Sequence, residues 1–205
     1  KILKKNSITD PYDESRPLLQ SYYKFIRYNK LKVDDAPLFL TIKRAIINSN
    51  KKNKIYMESS SFLAFHTNEL VKKFNSKIII LLRNPNDVSK DLNKSGWYKK
   101  EYYKSQNNHA LGYQGISTSF SNKHHNFSRL APKGKVFLKW NKLNSLVKSK
   151  WYWDEVNRYL IKNIKKINKK NYKILRIEDL NFKKYIELCN WLKIKPKVGK
   201  IKFDF

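Results

Sequence analysis

Two side chains in this sequence stand where their type and position could do chemistry, Glu58 and Arg83. Each follows a short apolar run. Ile78, Ile79, Ile80, Leu81 and Leu82 are continuous and rich in β-branched residues, the pattern of a strand covered on both faces, as in a parallel sheet. Arg83 comes where that strand ends, Asn84-Pro85 breaks it, and Asn86 or Asp87 can cap a helix from about Val88 to Lys94. An arginine between a strand's C-terminal end and a helix N-terminus suits an anion, because unpaired N–H groups and the helix dipole favour negative charge there. Glu58 closes a second run, Ile55 to Met57, and the cap-capable triplet Ser59, Ser60 and Ser61 follows it.

The elements around them follow from periodicity. Phe62, Leu63 and Phe65 lead into a helix containing Glu69, Leu70, Val71 and Phe74, so 55–82 reads as strand, helix, strand, long enough for a crossover and a parallel pair. Glu58 and Arg83 then share one edge of the sheet. Residues 1–53 read as helical cover. One helix has Ser15 as its cap, Pro17 in its first turn and Leu18, Leu19, Tyr22, Tyr23 and Ile26 on one face. A second starts at Asp34 or Asp35 with Leu38, Ile42, Ala45 and Ile46 inward, and a polar break runs from Asn48 to Asn53. Residues 99–135 lose periodicity and carry glycines and aromatics, the character of a long functional or mobile loop. Ser149 caps a helix bearing Trp153, Val156, Leu160, Ile164 and Ile167, and Asn171 ends it. Residues 172–177 are a third strand. Asp179 or Asn181 then caps a last helix with Phe182, Tyr185, Ile186, Cys189 and Leu192 inward.

A chain of 205 residues with 40% hydrophobic residues suits one domain with a sizeable core. Its 45 basic against 16 acidic residues give a formal charge of +29, which invites a polyanionic partner. The excess is mostly lysine spread along the chain beside many asparagines and isoleucines, a signature of AT-rich coding more than of a basic face built for nucleic acid. No specific nucleic-acid partner is expected, and no stretch is long and apolar enough to span a membrane. The single Cys189 excludes an internal disulfide and fits a reducing, cytoplasmic setting. His66, His109, His124 and His125 have no metal-ligand spacing and read as surface residues. The chain starts without methionine, within KILKKN, and reads as a piece of a longer protein.

RNPND after the isoleucine run, followed by SGWY, resembles the second phosphate-binding element of the sulfotransferases, which move a sulfuryl group from 3'-phosphoadenylyl sulfate (PAPS) to a hydroxyl or amine. The resemblance spans about 54–205 in the same order and includes Glu178-Asp179-Leu180, a segment that is mainly structural in that family. It implies a P-loop-like, three-layer α/β/α fold with a parallel sheet built on strands near 54–58, 77–83 and 172–177. It also implies PAPS as cosubstrate without a metal, and an acceptor that is a glycan or small molecule. Arg83 matches the arginine that holds the nucleotide's 3'-phosphate, with Asn84, Asn86 and Asp87 beside it. Position 91, the family's second 3'-phosphate ligand, is a serine there and Asp91 here, and a carboxylate repels a phosphate unless a cation intervenes.

Two readings of Glu58 stay open. The family's base lies on this sheet edge, and a carboxylate can take a proton from an acceptor hydroxyl; alternatively, Glu58 caps the next helix or pairs with a lysine. Within the long loop, which lines the acceptor site in the family, Tyr102, Tyr103, His109 and Tyr113 are the aromatic candidates. Nothing in 1–53 matches the family's 5'-phosphosulfate loop, so an inactive interaction domain of the same fold is the alternative, and a nucleic-acid-binding module a more distant one.

Overall fold

The computed structural model describes residues 9–13, 16–99 and 127–197. Among the described residues, four short strands, β1 (Thr9–Asp13), β2 (Ile55–Ser59), β3 (Ile78–Leu82) and β4 (Tyr172–Arg176), are embedded among seven α-helices. The helices are α1 (Pro17–Asn29), α2 (Ala36–Lys51), α3 (Thr67–Phe74), α4 (Pro85–Lys94), α5 (Lys135–Asn141), α6 (Ser145–Ile164) and α7 (Phe182–Leu192). The class is mixed α/β, with parallel pairing between the described strands and helix predominating among the described residues.

Three of the helices begin in the same way. Asn84, Asn144 and Asn181 each accept an N–H from the first turn through the side-chain oxygen, at 2.9, 2.9 and 3.0 Å, before α4, α6 and α7. An asparagine in this position satisfies a donor that a helix start otherwise leaves orphaned. At α4 the next residue is Pro85, whose fixed φ suits the first helical position. The cap there is therefore Asn84, not Asn86 or Asp87, and α4 starts three residues earlier than Val88. Likewise α6 starts at Ser145 under Asn144, and Ser149 lies inside it, donating to the Ser145 carbonyl at 2.8 Å. A 3-10 turn, Lys169–Asn171, separates the end of α6 from β4. Helix α2 runs through Asn48 to Lys51, because its buried Ser49 and the carbonyls of Ser49 and Asn50 continue the helical bonding into the Lys52–Lys54 turn. The N-cap of α1 is Arg16, whose side chain makes no capping bond and donates instead to the Thr41 hydroxyl at 3.1 Å; Ser15 lies outside the described residues.

The strands at 55–59, 78–82 and 172–176 lie where the apolar runs place them, but their partners differ from expectation. β1 pairs with β2, from Thr9 opposite Ile55 to Asp13 opposite Ser59, and β3 pairs with β4, from Ile78 opposite Tyr172 to Leu82 opposite Arg176. Each pair is its own two-stranded sheet, and β2 is not bonded to β3. β1 lies in the segment read as helical cover. Its sequence, TDPYD, has no apolar run, and Pro11 is tolerated because an edge strand leaves one row of N–H groups unused.

The core has three main parts. Phe65, Tyr98, Leu130, Trp140 and Tyr152 form an aromatic nucleus under α5 and α6. Tyr23, Leu38, Phe39, Ile42, Leu63 and Leu70 join α1, α2 and α3 and take Tyr56 of β2 and Ile78 of β3 against them. Ile80 packs with Leu160, Ile164 and Ile167, the expected stripe of α6 and its continuation. Lys24 is fully buried beside the aromatic nucleus. Its Nζ donates to the Ser128 carbonyl at 2.8 Å and to the Tyr152 hydroxyl at 2.5 Å, and it lies 5.0 Å from the Phe62 ring centre. Among the described residues no helix is long and apolar enough to cross a membrane.

Candidate functional site

The end of β3 and the start of α4 bring five of the expected residues, Arg83, Asn84, Asn86, Asp87 and Asp91, into one corner. Arg83 leaves the strand exposed, and its Nη1 donates to the Asp91 Oδ2 at 2.5 Å. Asp91 sits nearly two turns into α4, so the pair closes the strand-to-helix turn. The hydrogen bond to Asp91 raises the Arg83 pKa above its ordinary value, and the nearby Asp87 and Glu178 carboxylates add to it. The main-chain N–H of Asn84 donates to the Glu178 Oε1 at 2.6 Å, and that of Asn86 donates to the Asn84 side chain. Hydrogen bonds from its own N–H and from the Asn84 N–H hold the Glu178 carboxyl below its usual pKa. Two carboxylates of the chain itself, Asp91 and Glu178, thus occupy the guanidinium and the first amide.

Glu178 is the residue that sequence reasoning underrated. It belongs to the segment that the resemblance implies is mainly structural, and it reaches to the turn after β3. The parallel register explains this. Leu82 faces Arg176, so the residues just past each strand end, 83–84 and 177–178, come together. Asp179 pairs with the Lys184 Nζ at 3.6 Å, and the cap of α7 is Asn181. Ser89 faces away from the corner: it is buried and donates to the Pro85 carbonyl at 2.5 Å.

Glu58 lies near the end of β2 with a separate set of partners. Its carboxylate accepts from the Gln20 Nε2 at 3.1 Å and from the Tyr56 hydroxyl, and the Ser60 hydroxyl donates to the Gln20 Oε1 at 2.6 Å. Gln20 is buried on α1 among apolar neighbours, a polar interruption that the helical spacing did not single out. No hydrogen bond or ion pair joins this group to Arg83 among the described residues. Tyr102, Tyr103, His109 and Tyr113 lie outside the described residues.

His66 differs from the surface reading. It ends the 3-10 turn Phe62–His66 that delivers the chain from β2 to α3, and the apolar Phe62, Leu63 and Phe65 carry it inward. Its ring is buried edge-on to Phe39, with Nδ1 lacking a hydrogen-bond partner. A cleft of about 250 Å³ beside it is lined by Tyr23, Arg27 and Asp35 among others, with Arg27 bridging Asp35 at 2.8 Å and Glu69 at 2.5 Å. Burial, then the Arg27 charge, lowers the His66 pKa to about 3. Between that value and the ordinary 6.5 the unfolded chain binds a proton that the folded one refuses, so stability falls as pH drops through this window. At pH 5 the loss attributable to His66 is about 2 kcal/mol. Urea melts at pH 7 and pH 5 should show it, and His66→Gln should flatten the difference. An equal pH 5 penalty in that variant would assign it elsewhere.

Among the described residues no group of side chains could hold a metal ion. Cys189 is a free, buried thiol. Comparison with protein-family models, with curated proteins and with solved structures returned no match for this chain.

Proposed function

We propose that this chain is the 3'-phosphate-binding part of a PAPS-dependent sulfotransferase with a three-layer α/β/α domain, acting on a hydroxyl or amine of a glycan or small molecule. The observation that carries the reading is the corner at Arg83. An arginine at a parallel strand end, beside a helix N-terminus, already holds anionic groups at both the guanidinium and the amide. A nucleotide 3'-phosphate would take the guanidinium from Asp91 and offer more charge and a better fit to the guanidinium fork. In the transfer, the bond from sulfur to the PAPS phosphate oxygen breaks as the acceptor oxygen bonds to sulfur. Glu58 takes the acceptor proton, and 3'-phosphoadenosine 5'-phosphate leaves.

A second reading, an inactive interaction domain of the same fold, is favoured by the Arg83–Asp91 ion pair, which shuts the phosphate position with the chain's own carboxylate. Asp91→Ser separates the two. Removing the competing carboxylate should tighten 3'-phosphoadenosine 5'-phosphate binding about tenfold in calorimetric titration, through lost repulsion more than through the exposed ion pair itself. Affinity equal in variant and wild type would take the nucleotide away from this corner.

A further inference from the structure

We infer that the end of the molecule where β3 and β4 begin is a lysine surface that docks on a membrane rich in acidic lipid. Three segments meet there. The Lys77 ammonium donates to the Lys170 carbonyl at 2.8 Å, and the Trp191 indole N–H donates to the same carbonyl at 3.2 Å. The starts of both strands and the end of α7 are thereby joined at one point. Lys77 and Lys173 also place their ammonium groups 5.1 and 5.8 Å from the Trp191 ring centre. An indole face attracts a cation, so these two charges are held at the surface. Lys166, Lys169 and Lys193 stand close by in the chain, and of the six lysines all but the half-buried Lys173 are exposed.

No carboxylate answers this charge. Residues 70–86, 156–177 and 188–197 contain neither Asp nor Glu. Glu187 lies one turn before Trp191 on α7, and among the described residues neither it nor any of the six lysines is in an ion pair. The residues outside the described set carry eight lysines against Glu14, Glu101 and Asp204, so their charge has the same sign. Part of the lysine has a structural use, because α3, α6 and α7 all end here and a cation suits a helix C-terminus. Three such ends amount to about one and a half negative charges, and six lysines leave most of the positive charge unanswered.

The layout of the charge selects the partner. The six lysines come from separate segments and spread across the end of a sheet, and are not aligned along one helix or groove. Strand-tracking nucleic-acid binders use open aromatic faces on which bases stack. Trp191 instead has two ammonium groups at its ring and its N–H on Lys170. A bilayer asks only for positive charge over an area, and about four to eight lysines suffice. This end lies roughly 20 Å from Arg83 along β3, so docking leaves that corner open to solution. The inference is independent of the sulfuryl-transfer reading.

The test is vesicle flotation of the 205-residue chain at moderate salt. The wild type should bind phosphatidylcholine vesicles containing about one-third phosphatidylserine, and not vesicles of phosphatidylcholine alone. Lys166→Gln/Lys169→Gln/Lys170→Gln should bind the acidic vesicles about a hundredfold more weakly, roughly fivefold for each lysine. Lys43→Gln/Lys51→Gln/Lys90→Gln has the same net charge and leaves this end intact. It should lose about threefold at most, since charges more than about 10 Å from the contact are screened. The first variant's losses toward duplex DNA and heparin should be smaller than its loss toward the vesicles. Equal losses in the two variants, equal binding to both kinds of vesicle, or no binding to the acidic ones would overturn the inference. A loss toward DNA or heparin as large as that toward the vesicles would also overturn it, and would give this face to a soluble polyanion.

Discussion

Phe65→Ala is expected to lower the unfolding free energy by about 3–5 kcal/mol, read as a fall in the urea midpoint with an unchanged slope. Phe65 is completely buried and sits at the centre of the aromatic nucleus. Its ring stacks on Tyr159 of α6 with centroids 4.2 Å apart and meets Tyr28 of α1 edge-on at 6.2 Å. It lies on the 3-10 turn that joins β2 to α3, so one side chain ties the first sheet to α1 and to the long helix α6. The cavity left behind is walled by rings, which cannot collapse into it as flexible aliphatic chains would. The functional consequence is positional: the Glu58 end of β2 is anchored seven residues from this ring. A loss below about 1 kcal/mol would mean that the nucleus repacks and is not what holds the two parts together.

Arg83→Ala is expected to weaken binding of 3'-phosphoadenosine 5'-phosphate about a hundredfold, since a guanidinium offers two charge-assisted hydrogen bonds in a fork that matches a phosphate. Stability should hardly change, because Arg83 and Asp91 are both exposed and a surface ion pair contributes little to folding. Arg83→Lys keeps the charge and loses the fork, so it should recover only part of the affinity. Thermal melts of both variants without nucleotide should overlay those of the wild type. A large melting shift in Arg83→Ala would point to a structural role for the Arg83–Asp91 pair and away from a binding one.

Much of this arrangement is legible in the residues themselves. Short runs rich in apolar and β-branched residues locate β2, β3 and β4 to within a residue or so, although β2 and β4 include polar positions such as Glu58 and Lys173, and Ile55, Leu81 and Ile174 remain exposed. The start of α4 was misplaced because Asn84-Pro85 reads first as a strand breaker, when the same pair is an N-cap followed by a first-turn proline. β1 was invisible for the opposite reason: an edge strand needs neither an apolar run nor every N–H, and TDPYD has the composition of a turn. Pairing is a long-range property that no local pattern specifies, so nothing near 55–82 announces that β2 joins β1 and β3 joins β4. The same holds for the site. Arg83 at a strand end follows from the sequence, whereas Glu178 at the Asn84 amide, 94 positions away, follows only from the β3–β4 register.

The central claim is that the Arg83 corner binds the 3'-phosphate of a nucleotide, and a four-way calorimetric comparison tests it most directly. Wild type and Arg83→Ala are each titrated with 3'-phosphoadenosine 5'-phosphate and with adenosine 5'-phosphate, which lacks the 3'-phosphate, at one moderate salt concentration. The expected result is a preference of at least about tenfold for the 3'-phosphorylated nucleotide in the wild type, which disappears in Arg83→Ala. Equal affinity for the two nucleotides in the wild type, or a preference that survives the loss of Arg83, would contradict it.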